Sequence, residues 1–196
     1  MEKIIIKFAD TSDLVFVENV KDAIFKASEQ KGTGIAVRSP EYISGKILEG
    51  KAIIAKTESG DWAGFCYIES WGHNRFVANS GLIVDEKFRG RGLAKSIKSK
   101  AFELSQKLFP GAKLFGITTS LAVMKINSEL GYKPVTISEL TDDEEFWKGC
   151  QTCPYYDILV RTKRSHCLCT AMLLDPNQIK TSEKQIAGIE IKSNQS

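Results

Sequence analysis

Short apolar runs along this chain alternate with segments in which apolar residues recur every three or four positions, the pattern of strands interleaved with helices. Lys3 to Phe8 reads as a first strand. Ser12 to Ser28 sets Leu14, Val17, Val20, Ala23, Ile24 and Ala27 on one face and predicts an amphipathic helix. Lys31-Gly32-Thr33-Gly34 ends it, and Pro40, whose fixed φ suits a first helical turn, opens a second helix reaching Leu48. Ala52 to Ala55 and Ala63 to Glu69 read as strands around the turn Glu58-Ser59-Gly60-Asp61, and Phe76 to Val84 as the next strand. A helix from Leu93 to Leu108 stops at Pro110-Gly111, followed by a strand Lys113 to Thr118, a helix Leu121 to Leu130 and a strand Pro134 to Ile137. No internal repeat is visible. The order predicts an α/β (α+β) domain, a mixed sheet flanked by helices, with its ligand at the carboxyl end of a central strand.

Composition narrows the class without deciding the function. The chain has 196 residues, 42% of them hydrophobic, which suits one globular domain with a sizeable core. A net charge of +3 is too small to argue for nucleic acid as a partner. No run of 18 apolar residues suggests a membrane partner, and the apolar stretch Ile4-Ile5-Ile6 is too short for a signal peptide. A cytoplasmic enzyme is the resulting expectation.

The most telling stretch runs from Asn79 to Ala101, where Gly81-Leu82-Ile83-Val84 meets Phe88-Arg89-Gly90-Arg91-Gly92-Leu93-Ala94 and then a helical pattern. Two glycines in three residues let backbone fold closely around a ligand, and free N–H groups at a helix N-terminus attract anions. Arg89 and Arg91 add permanent charge that suits a pyrophosphate. The Walker loop does not fit, and the dinucleotide fingerprint fails because Lys95 stands where its third glycine would be. The alternative is a Gly-Arg-Gly turn that merely links a strand to a helix.

Arg89-Gly90-Arg91-Gly92-Leu93-Ala94 resembles the Arg/Gln-x-x-Gly-x-Gly/Ala signature of the GNAT N-acetyltransferases. Met124 to Tyr132, with Leu130-Gly131-Tyr132 at its end, resembles the family's helix ending in Leu-Gly-Phe/Tyr. The resemblance implies a mostly antiparallel mixed sheet, acetyl-CoA as cosubstrate and transfer of its acetyl group to an amine. It makes Arg89, Gly90, Arg91, Gly92, Leu93 and Ala94 the pyrophosphate loop, and Leu82, Ile83 and Val84 the strand that pairs with the pantetheine arm. The N–H of Ile83 or Val84 would then serve the thioester carbonyl. Where many relatives carry a Tyr that protonates the leaving thiolate, this chain has Asn127, which cannot give up a proton and is kept as a coenzyme contact. The general acid stays unassigned.

Attack on a thioester needs a neutral amine, so the site must accept a proton. Glu69 at a strand end and His73 in the following turn are the nearest candidates, against their readings as a solvated strand end and a turn residue. Arg38 lies between the first two helices, where the family builds its acceptor site, and with Arg75 could hold a carboxylate, unless both are plain surface arginines. Lys31 to Asp175 also resembles short bacterial acetyltransferases associated with arginine biosynthesis, which implies a small amino acid such as glutamate as acceptor. Protein N-termini, polyamines and aminoglycosides stand behind it, and a non-catalytic acyl-CoA sensor is the rival from another class. A homodimer is left open.

Four of five cysteines lie in Cys150-x-x-Cys153 and Cys167-x-Cys169, thirteen residues apart. A Cys-x-x-Cys turn and two same-face thiols on a strand could close a tetrahedral, structural zinc site. A disulfide, a redox pair and free thiols are the alternatives. Residues 1–140 are expected to form the acyl-CoA-binding core, 141–176 a Cys-rich hairpin completing the domain, and 177–196 a flexible tail, in which Ile186 to Ile191 could add an edge strand.

Overall fold

The computed structural model describes residues 2–30 and 34–177. Most of the Lys31 to Gly34 break and the tail with its Ile186 to Ile191 segment therefore lie outside the described residues. Among these, seven strands form one sheet: β1 (Ile4–Phe8), β2 (Ala52–Thr57), β3 (Trp62–Trp71), β4 (Phe76–Val84), β5 (Lys113–Thr118), β6 (Lys133–Val135) and β7 (Thr170–Leu174), in the order β1-β2-β3-β4-β5-β7-β6. Every neighbouring pair is antiparallel except β4 with β5.

Two-residue alternation along the strands divides the core between the sheet's faces. Ile54, Phe65 and Tyr67 pack with Val20, Ile24, Ile43 and Ile47 from helices α1 (Val17–Ser28) and α2 (Pro40–Leu48). Ile53, Cys66, Ile68, Val77, Leu114 and Met172 point the other way, against Leu93, Ile97, Ala101 and Leu104 of helix α3 (Leu93–Leu108). Helix α4 (Leu121–Glu129) precedes Tyr132, which is buried in that second cluster. Helices α5 (Glu144–Lys148) and α6 (Tyr156–Arg161) cover Phe115, Ala171 and Leu173 through Trp147 and Leu159. No helix among the described residues is long and apolar enough to cross a membrane.

Three local expectations change. The first helical segment is broken: Thr11–Phe16 is a 3-10 turn capped by Asp10, and the α-helix begins only at Val17. The buried carboxylate of Asp13 explains the turn's geometry, since it accepts from Asp10 N at 3.0 Å while meeting Lys7 at 2.7 Å and Lys56 at 3.0 Å. The last predicted strand shortens to Lys133–Val135, with a 3-10 turn at Ile137–Glu139. The Cys-rich segment is not a hairpin, because α5 and α6 occupy it before β7 inserts between β5 and β6.

Candidate active site

β4 and β5 pair only through Phe76, Val77 and Ala78 against Lys113, Leu114 and Phe115. Beyond Ala78 the two strands no longer pair with each other, while β4 keeps β3 and β5 keeps β7 along their outer edges. The result is a fork whose β4 side has no strand partner. Asp85 N donates to Ala63 O at 3.0 Å, so by strand alternation Ile83 turns its N–H toward β3 while Leu82 and Val84 present theirs to the open side. The Val84 carbonyl, which lies on the same side of the strand as its N–H, accepts from Arg89 Nε at 3.2 Å.

The fork exists because β4 is bulged. Register between β3 and β4 shifts from Phe65 opposite Ile83 to Tyr67 opposite Ser80, leaving one extra residue on β4. Gly81 absorbs it with φ +63°, and any Cβ there would lie 2.4 Å from Tyr67 Cε1. Glycine is thus required twice, for its backbone and for the ring beside it.

At the mouth of the fork, Gly92 is the N-cap of α3 with φ +75°, and no side chain caps it. Gly90 shares that φ, and apart from the adjoining backbone nothing lies within 4 Å of a Cβ built on either glycine. The first turn of α3 carries no acidic residue. Unpaired N–H groups, the positive end of a helix dipole and the exposed Arg91, whose guanidinium stands 5.6 Å from the Phe88 ring, surround a cradle open to solvent. Such an arrangement fits a pyrophosphate.

A cavity of about 730 Å³ runs through the fork, and Arg89 is the residue of the glycine loop that lines it. One wall is β4 from Asn79 to Ile83, another is β5 with Val123 and Asn127 of α4, and residues 34–39 with Tyr42 close over them. Asn127 is completely buried; its Nδ2 donates to Met172 Sδ at 3.7 Å and its Oδ1 has no partner. A buried acceptor without a donor costs about 1–3 kcal/mol, and an N–H from a ligand would remove that cost.

Arg38 and Glu69 both line this cavity, on either side of Tyr42 as a shared neighbour. Arg38 Nε donates to Tyr67 Oη at 2.9 Å, and its guanidinium carbon lies 5.2 Å from the Tyr42 ring. Glu69 Oε1 meets Lys46 Nζ at 2.5 Å, and Oε2 accepts from Tyr42 Oη. Burial, then the charge of Tyr67 and of Glu69, pushes the Tyr42 hydroxyl far above the usual phenol range, so it stays a donor. His73 and Arg75 are not brought here. Both are exposed in the turn after β3, outside the cavity lining, where His73 has φ 57° and Arg75 Nε donates to Gly72 O.

All four cysteines of the C-terminal cluster line the same cavity. Burial raises the Cys150 thiol to about 11, with the neighbouring Cys153 and Cys167 adding to it. Cys167 and Cys169 lie in the loop before β7 rather than on a strand. Among the described residues no group of three or more His, Cys, Asp or Glu side chains is arranged to hold a metal ion, so the expected zinc site finds no support.

Sequence reasoning missed Tyr42, Lys46, Tyr67, Gly81 and Lys98. Lys98 alone left a signal, because it interrupts the otherwise small or apolar stripe Ala94, Ala101 and Ser105 at helical spacing.

No protein-family model and no curated protein matches the chain. Solved structures match its fold. Rv2747 from Mycobacterium tuberculosis, in complex with CoA and NLQ, aligns at TM-score 0.62 with 16% identity, over 87% of this chain and 98% of that one. N-acetylglutamate synthase from Neisseria gonorrhoeae, complexed with coenzyme A and N-acetyl-glutamate, aligns at 0.63 with 15% identity; 89% of this chain matches 35% of that longer one. Diaminobutyrate acetyltransferase EctA from Paenibacillus lautus, with L-2,4-diaminobutyric acid and coenzyme A, aligns at 0.59 with 14% identity, over 90% and 96%. At these identities the likeness establishes the fold, which is the GNAT acetyltransferase fold expected above.

Proposed function

We propose that this chain, having the GNAT fold, is an N-acetyltransferase that moves the acetyl group of acetyl-CoA to the amine of a small amino acid. The observation that carries the reading is the fork between β4 and β5, open along β4 and ending at an uncapped helix start. An extended pantetheine arm adds to such an edge as a strand would. Leu82 and Val84 supply N–H groups along it, the first turn of α3 with Arg89 and Arg91 holds the pyrophosphate, and Asn127 Oδ1 accepts a donor from the arm.

The acceptor belongs where Arg38 and Glu69 line the cavity. Arg38, propped on Tyr67 and Tyr42, fits a carboxylate, and Glu69 is the proton acceptor for the attacking ammonium. The acceptors named for the solved relatives, glutamate products and diaminobutyrate, are amino acids, which supports that class over polyamines or protein N-termini. Five free thiols agree with a reducing, cytoplasmic compartment.

Calorimetry with acetyl-CoA, followed by thiol release over a panel of amino acids, tests the reading. Gly92→Val forces a β-branched residue into φ +75° and should weaken coenzyme binding at least about tenfold. Lys100→Ala, on the far side of α3 against Phe8, should leave it unchanged. Equal affinity for parent and Gly92→Val would refute the assignment.

A further inference from the structure

Lys98 has no structural reason to be a lysine. It is 2% exposed on the inner stripe of α3, and burying an ammonium costs several kcal/mol unless an opposite charge faces it. No carboxylate among the described residues does so. The titratable groups around it are Cys66 on β3 and Tyr132 beyond α4, whose ring centroid is 5.8 Å from Nζ. β4 offers the Asn79 carbonyl at 3.3 Å, and β5 offers only the backbone at Gly116.

Its location is specific. Asn79 and Gly116 are the first residues of β4 and β5 beyond their last paired positions, so Nζ stands at the apex of the fork and lines its cavity. A Cβ built on Gly116 would lie 3.8 Å from Lys98 Nζ and 3.7 Å from Asn127 Nδ2. A coenzyme with its pyrophosphate at the mouth and its arm along β4 brings its sulfur toward this apex.

We propose that Lys98 is the proton donor to the departing coenzyme thiolate, an assignment that rests on the acyl-CoA reading above. As the acceptor nitrogen forms its bond to the carbonyl carbon, the C–S bond breaks and sulfur keeps the electron pair. One ammonium proton of Lys98 passes to sulfur, giving the thiol and a neutral amine. The acceptor nitrogen releases its own proton to Glu69 or water, and water reprotonates Lys98. Burial lowers the Lys98 pKa from the usual lysine range, and the negative charge that develops on sulfur during C–S cleavage is what favours the ammonium form beside it. Cys66 does not compete, because burial raises its thiol to about 11.

Two measurements test the role. Lys98→Met should bind acetyl-CoA within about threefold of the parent, keep KM for the donor, lose about 100-fold or more in kcat and lose the alkaline fall of the parent's kcat profile. Independently of any acceptor or variant, coenzyme A bound to the parent should show a thiol about tenfold more acidic than free coenzyme A by thiolate absorbance. An unchanged kcat and pH profile in Lys98→Met, or a bound thiol that titrates like the free one, overturns the assignment of Lys98. A parent that fails to bind acetyl-CoA overturns the acyl-CoA reading instead.

Discussion

Replacing glycine by alanine at three positions should give three different outcomes, because each glycine answers a different physical demand. At Gly81 the added methyl meets φ +63° and also stands 2.4 Å from Cε1 and 2.8 Å from Cδ1 of Tyr67. Left-handed backbone costs about 1–2 kcal/mol and overpacking a further 1–3, so Gly81→Ala should lose about 2–5 kcal/mol. Tyr67 cannot yield freely, being 1% exposed and bonded to Arg38. At Gly92 nothing beyond the adjoining backbone lies within 4 Å, so Gly92→Ala should lose only the backbone share, about 1–2 kcal/mol. At Gly45, inside α2 with ordinary φ and open space, Gly45→Ala should gain about 0.5–1 kcal/mol. Urea unfolding followed by circular dichroism measures all three, with Tm moving about 2–4 °C per kcal/mol for a domain of this size. Gly81→Ala should also depress acetyl-CoA affinity, since the bulge shapes the open edge of β4. A Gly81→Ala protein as stable as Gly92→Ala would refute the claim that Tyr67 fills the space.

Arg38→Ala should chiefly raise KM for the amino acid, and Arg38→Lys should not restore it, since an ammonium cannot reproduce the planar guanidinium fork; steady-state kinetics decide. Glu69→Gln should chiefly lower kcat with KM for the amino acid little changed, and a parent-like kcat would remove Glu69 as the base. Asp13→Asn should lose about 3–5 kcal/mol, because the fully buried carboxylate neutralises both Lys7 and Lys56. Burial opposes ionisation of Asp13, yet those lysines hold its pKa below the usual 3.8. Its contribution is therefore present above that value and lost as pH falls through the lower folded pKa, which parent-minus-variant unfolding curves will show. Cys66 and Cys150, both raised to about 11 chiefly by burial, should react slowly with a disulfide reagent at pH 8 and fully only after unfolding. Immediate labelling of both in the native state would contradict the packing.

Local pattern alone was enough for most of the elements, because a strand half-buried on each face and a helix with one apolar stripe write their periods directly into the chain. β4, α3 and β5 have the bounds read from sequence, and the glycine turn before α3 was legible because Gly90 and Gly92 are needed for their own backbone, not for any distant neighbour. The structure decided what depended on contacts far apart in the chain. Glu69 and Arg38 share a cavity, whereas His73 and Arg75, close in sequence to Glu69, do not, since the turn after β3 carries them past its edge. The cysteine spacing suggested a metal site, but spacing along the chain does not fix where α5 and α6 send the thiols. Gly81 could be read as a strand glycine but not as one held by Tyr67, fourteen residues away, because a bulge is a property of the pair of strands. Lys98 shows the same limit most sharply: a lysine on an α3 stripe can be placed at the fork only once β4 and β5 are seen to part beside it, and that parting is a property of paired strands, not of the local sequence.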